Sequence, residues 1–154
     1  MKKFLIFVVS VILSIVVLIL ISSQYRHFYQ VDNMTFTVWK KWGGYCYVTP
    51  YRYWGLFTPE RNYIKMSNVG NVNVYLDKNS TLLIFNESTN DGATNDVECH
   101  LQTYKFKHFS LNSLSSMEET RLFEVKKRGY RQTLPFIDIS PRSMWVEVGN
   151  SMLP

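Results

Sequence analysis

Very little in this sequence can carry chemistry. It holds 2 cysteines and 3 histidines, and no pair among them falls at a tight metal-ligand spacing, so no metal site is assigned. No G-x-S-x-G, P-loop or G-x-G-x-x-G occurs, which removes the common nucleophile, nucleotide and dinucleotide signatures. Carboxylates are few and scattered, and their spacing does not favour a glycosidase-like pair. Cys99 and His100 are neighbours on a strand pattern. They point to opposite faces, so they make no catalytic couple. The sequence assigns no catalytic residue and no cofactor.

Charge of one sign is also scarce. Lys+Arg number 17 against 12 Asp+Glu. Setting aside Lys2 and Lys3 leaves 15 against 12. A nucleic-acid binder carries a far stronger basic stripe, so nucleic acid is not an expected partner. Internal repeats and low-complexity segments are absent. This is the composition of a folded domain.

What the chain does have is a long apolar run near its start. Lys2 and Lys3 precede Phe4 to Ile21, interrupted only by Ser10 and Ser14. As a helix that run measures about 27 Å, close to the ~30 Å hydrocarbon core of a bilayer. Serine hydroxyls bond back to a helix backbone and do not spoil a span. The run is longer than a signal-peptide core, and Ile21-x-Ser23 is a poor cleavage site, which favours an uncleaved anchor over secretion after cleavage. No cysteine stands directly after it to take a lipoprotein anchor. Lys2 and Lys3 outweigh Arg26 narrowly under the positive-inside bias, placing the amino terminus inside and the domain outside the cytoplasm. Tyr25, Phe28 and Tyr29 then suit an interfacial aromatic belt.

Three parts follow: an anchor or uncleaved signal over 1–24, a linker over 25–33, and a β-rich domain over 34–154. Met34 to Lys41 alternates, and Gly43-Gly44 marks a turn. Tyr45 to Thr49, Asn62 to Ser67 and Val72 to Leu76 read as strands between Gly, Pro, Asn and Asp punctuation. Leu82 to Phe85 is apolar on both faces, the pattern of a covered central strand, and pairs with Val72–Leu76 as a hairpin. Asn86 to Asp96 is polar loop, and Val97 to Phe109 is a long strand pattern.

Ser115 with Glu118 gives a capping-box spacing, with basic residues near Gly129 as a stop. These predict a helix over Ser116 to Arg128 with an apolar stripe of Met117, Leu122 and Val125. Thr133 to Ile139 and Ser143 to Val148 are two final strands. The fold class is α+β: mostly antiparallel β-sheet, as a curled sheet or sandwich, with one helix in the C-terminal half, preceded by an N-terminal transmembrane helix.

Two sets of residues stand out. Cys46 and Cys99 are a candidate disulfide if the domain meets an oxidising compartment, with two buried thiols as the alternative. Trp39, Trp42, Tyr45, Tyr47, Tyr51, Tyr53, Trp54 and Phe57 concentrate aromatic rings in a short span. Within it the segment from Pro50 to Pro59 reads as surface loop, so Tyr51, Tyr53 and Trp54 are the candidate binding residues. The expectation is a membrane-tethered extracytoplasmic binding or inhibitory module without enzymatic activity. Its partners would be the membrane, through Phe4 to Ile21, and a protein or saccharide outside the cytoplasm. The alternatives are a small envelope hydrolase with a site invisible in sequence, and a sugar- or peptide-binding module.

Overall fold

The computed structural model describes residues 2–22, 25–41, 44–55, 57–67, 70–87, 96–143 and 145–149 of the chain. Trp42, Gly43 and residues 88–95 of the expected polar loop lie outside the described residues.

The apolar run forms helix α1 (Lys2–Ser22). Among the described residues no helix is long and apolar enough to cross a membrane, so the expected transmembrane span is not shown here.

Residues 25–31 are not a linker. They form β1 (Tyr25–Val31), paired antiparallel with β2 (Met34–Lys40) from Tyr25↔Lys40 to Val31↔Met34. Asp32, at φ 52°, turns the chain between them; Asp is one of the few residue types at ease in that left-handed region. Tyr29 and Val31 face the core while Arg26 and Phe28 face outward, the period of a strand.

The other strands are β3 (Tyr45–Thr49), β4 (Tyr63–Ser67), β5 (Val72–Leu76), β6 (Leu82–Asn86), β7 (Val97–His100), β8 (Phe106–Ser110), β9 (Phe136–Ser140) and β10 (Trp145–Gly149). They make two five-stranded sheets, in the orders β1-β2-β3-β4-β7 and β10-β9-β5-β6-β8. Every neighbouring pair is antiparallel except β6 and β8, which run parallel. Val38, Val48 and Ile64 of the first sheet and Val74, Ile84 and Ile137 of the second share one buried cluster, so the sheets pack face to face as a sandwich.

Helix α2 (Met117–Thr133) covers the far side of the second sheet, where Phe123 joins Tyr75, Leu83, Phe85 and Phe136. The α+β class therefore holds, in three layers. β6 is buried on both faces, as its doubly apolar run predicts, and its hairpin with β5 is present.

Three expectations need correction. Val97 to Phe109 is two strands in different sheets, because the chain leaves the first sheet after His100 and enters the second at Phe106. The buried Asn62 side chain holds the crossing, its Oδ1 accepting from Gln102 N at 2.9 Å and Thr103 N at 3.0 Å.

The helix cap is one residue later than expected. Ser116 is the N-cap and Glu119 completes the box, and α2 runs on through Gly129 to Thr133, so no strand begins at Thr133. Pro135 explains the stop, since a residue before proline is pushed into extended backbone, and Leu134 sits at φ −120°, ψ 148°.

The stripe lies on the wrong face. Met117 is 91% exposed and Leu122 and Val125 are also exposed, while Phe123, Tyr130 and Leu134 turn to the sheet. Their spacing of seven and four residues is equally helical, and aromatic bulk decides which set is buried.

Candidate functional site

The outer face of the first sheet is where the aromatic segment goes. β1, β2 and β3 present Arg26, Thr37, Trp39, Tyr47 and Thr49 on that side, and the chain after Pro50 lies back across them. Thr37 Oγ1 accepts from Tyr53 N at 2.9 Å and donates to Tyr51 O at 2.7 Å. Thr49 Oγ1 donates to the same carbonyl at 2.8 Å, and Arg26 Nη2 donates to Gly55 O at 2.6 Å. Two threonines and one arginine thus fasten an irregular segment to three strands. A Cβ at Gly55 would stand 2.2 Å from the Tyr53 hydroxyl, so any larger residue there would have to displace the tyrosine tip.

Under this cover Trp39 is 1% exposed although it points away from the sandwich core. The Arg26 guanidinium lies 4.4 Å from its ring, the Lys41 ammonium 5.0 Å, and the Tyr53 ring 6.0 Å. Burial lowers the pKa of Arg26 from its ordinary value. Such layers of cation and ring are stabilised by the ring quadrupole once water is excluded.

The three candidate binding residues divide. Tyr51 and Tyr53 are half-buried and spend their hydroxyls inside the segment, Tyr51 on Arg61 O at 3.2 Å and Tyr53 on Phe57 O at 2.7 Å. Burial, and then the Tyr53 phenol beside it, raise the Tyr51 pKa, so this hydroxyl stays protonated near neutral pH. Trp54 is different. It is 65% exposed, its ring 4.5 Å from Phe28, and Arg52 reaches over both rings at 4.9 Å from Phe28 and 5.4 Å from Trp54. Phe57 nearby is 81% exposed. Between Tyr51, Tyr53 and Phe57 lies an open depression of about 410 Å³, with Glu60 and Arg61 on its rim. The candidate binding residues left out Arg52, and they left out Phe28 and Phe57, which the sequence placed only in an interfacial belt and among the clustered rings. The alternation of Arg26, Phe28 and Gln30 with His27, Tyr29 and Val31 was the signal for Phe28.

A second, polar group sits where α2 meets the second sheet. The Asp138 side chain is only 5% exposed. It accepts from Asn73 Nδ2 at 2.5 Å and pairs with Arg131, which also bonds Glu147 at 2.7 Å. Lys127 pairs with Glu87 alongside. Burial lowers the Lys127 pKa. Each of these charges has a partner of opposite sign, so the cluster fastens the helix to the sheet.

The candidate Cys46–Cys99 disulfide is not formed; both are free thiols, the alternative reading of the pair. Cys46 is buried and Cys99 half-buried, and desolvation pushes their thiols up to about 12 and about 11. His100 stacks on Tyr63 at 4.6 Å and bonds Glu98 at 3.3 Å, on the sheet face opposite Cys99. Among the described residues no cluster of His, Cys, Asp or Glu could hold a metal ion. Compared with known protein families, curated proteins and solved structures, the chain matches none.

Proposed function

We propose that this chain is a membrane-tethered, extracytoplasmic binding module without chemistry of its own, and that it makes its contact through Phe28, Arg52, Trp54 and Phe57. The observation that carries this reading is the exposure of Trp54, packed at a tilt against Phe28 beneath Arg52. Trp and Arg are the side chains that most often anchor an interface, and a segment stitched to three strands loses little entropy when it binds.

The tether rests on the apolar run. Phe4, Leu5, Ile6, Phe7 and Leu18 of α1 are all exposed. Leaving such side chains in water forgoes roughly 1.5–3 kcal/mol each, and a lipid environment recovers it. In sequence the run continues past Leu18 through Ile19 and Ile21 without a charge, which extends the apolar length to that of a bilayer core. The extracytoplasmic placement rests on Lys2 and Lys3.

The experiment has two parts. A reporter active only in the cytoplasm, fused after Pro154, is expected to be silent, and the chain to stay in the membrane through a carbonate wash. A photocrosslinking residue in place of Trp54 is expected to form adducts in native membranes, while the same residue in place of Asn79 forms none. An active reporter, or equal labelling from both positions, overturns the reading.

A further inference from the structure

We infer that the partner of the Trp54 patch is the bilayer itself: the interface between headgroups and acyl chains, beside the point where α1 emerges. This rests on the tether proposed above and names what the patch touches.

The length of chain between the two is the first argument. Phe28 lies six residues beyond Ser22, the last residue of α1. Six residues span at most about 22 Å even fully extended. A helix of 21 residues measures about 32 Å and so reaches the edge of a ~30 Å hydrocarbon core. The headgroup layer beyond is roughly 5–8 Å deep. Phe28 therefore cannot move far from the membrane surface.

The second argument is mechanical. Trp54 and Phe57 belong to the segment that Arg26 of β1 grips through Gly55 O at 2.6 Å, and the Trp54 ring packs on Phe28 of the same strand at 4.5 Å. The segment travels with the first strand after the anchor. What constrains Phe28 constrains Trp54.

Chemistry is the third. An interface takes rings with one wet and one apolar side, and guanidinium groups that keep their charge among phosphates while their stems lie against apolar surface. The patch offers Trp54 and Phe28 with Arg52 over both rings, exposed Phe57 further along the segment, and Arg26 beneath it. Glu60 and Arg61 on the rim of the adjoining depression offset each other. A positively biased aromatic patch complements an anionic leaflet.

The full chain in vesicles of three parts phosphatidylcholine to one part phosphatidylglycerol supplies the test, since no other protein is present. A nitroxide is attached at Phe57→Cys and, separately, at Asn79→Cys in the exposed turn between β5 and β6. The unsubstituted protein, with its shielded thiols, measures background labelling. Because Phe57 and Asn79 are both exposed, thermal melts of the labelled chains are expected to match the parent. The expected result is that the Phe57→Cys label collides more often with dissolved oxygen than with a water-soluble nickel chelate, and the Asn79→Cys label the reverse. Replacing Arg52 by Ala should bring the Phe57→Cys label measurably nearer to water. If that label behaves like the one at Asn79→Cys while the chain survives a carbonate wash, the inference is overturned and the tether stands. Release by the wash overturns both.

Discussion

Cys46 and Cys99 lie on either side of one strand: Cys46 opposes Met66 of β4 and Cys99 opposes Ile64 two residues along it. Both belong to the apolar side that faces the second sheet. Two strand spacings amount to roughly 10 Å, beyond the ~7 Å at which Cα atoms can be bridged. The protein is therefore expected to migrate identically with and without reductant. Its thiols should resist iodoacetamide at pH 8 until denaturant is added, because desolvation holds Cys46 up to about 12. A mobility shift would show that the strand order differs.

Trp39 and Trp54 should separate in a thermal melt. Trp39→Ala removes a ring that is 1% exposed, beneath Arg26, Lys41 and Tyr53. The expected cost is about 3–5 kcal/mol. Trp54→Ala loses chiefly its tilted ring contact with Phe28, about 1 kcal/mol. At roughly 4 °C per kcal/mol for a domain of this size, only the first variant should fall by 10 °C or more. Equal losses would mean that Trp54 is structural and leave the patch without its centre.

Asp138 should matter more than its visible ion pair. Asp138→Ala strips the acceptor that the buried Asn73 Nδ2 has among the described residues. Arg131, partly exposed, keeps Glu147. The expected loss is about 2–3 kcal/mol, most of it from the orphaned amide. Glu147→Ala removes only the exposed half and should cost under about 1 kcal/mol. Chemical denaturation of the two variants tests the difference.

The cap of α2 predicts an acid sensitivity. Ser115 and Ser116 donate to the Glu119 carboxylate and hold its pKa below the ordinary value. Its contribution is present above the pKa of the unfolded chain and is lost as pH falls through the lower folded value. Glu119→Gln should flatten that part of the stability profile below about pH 4.5. Ser116→Ala should cost about 1 kcal/mol at neutral pH. An unchanged acid profile in Glu119→Gln would assign the sensitivity elsewhere.

The sequence by itself determined the elements whose signals are local. β2, β3, β4, β5 and β6 follow from alternation or apolar runs between turn residues, the β5–β6 hairpin from its short polar turn, and the helix from serine and glutamate spacing. Only the tertiary structure decided which partner each element takes. It split Val97 to Phe109 between two sheets, made a strand of Tyr25–Val31, chose Phe123 over Leu122 for the buried face of α2, and put β4 between the two cysteines. It also buried Trp39 on the outside of the sandwich, under a segment that local rules describe only as loop. Periodicity belongs to one backbone and can be read along it. Pairing, sidedness and cover depend on contacts such as Asn62 with Gln102 and Arg26 with Gly55, which join residues far apart in the chain.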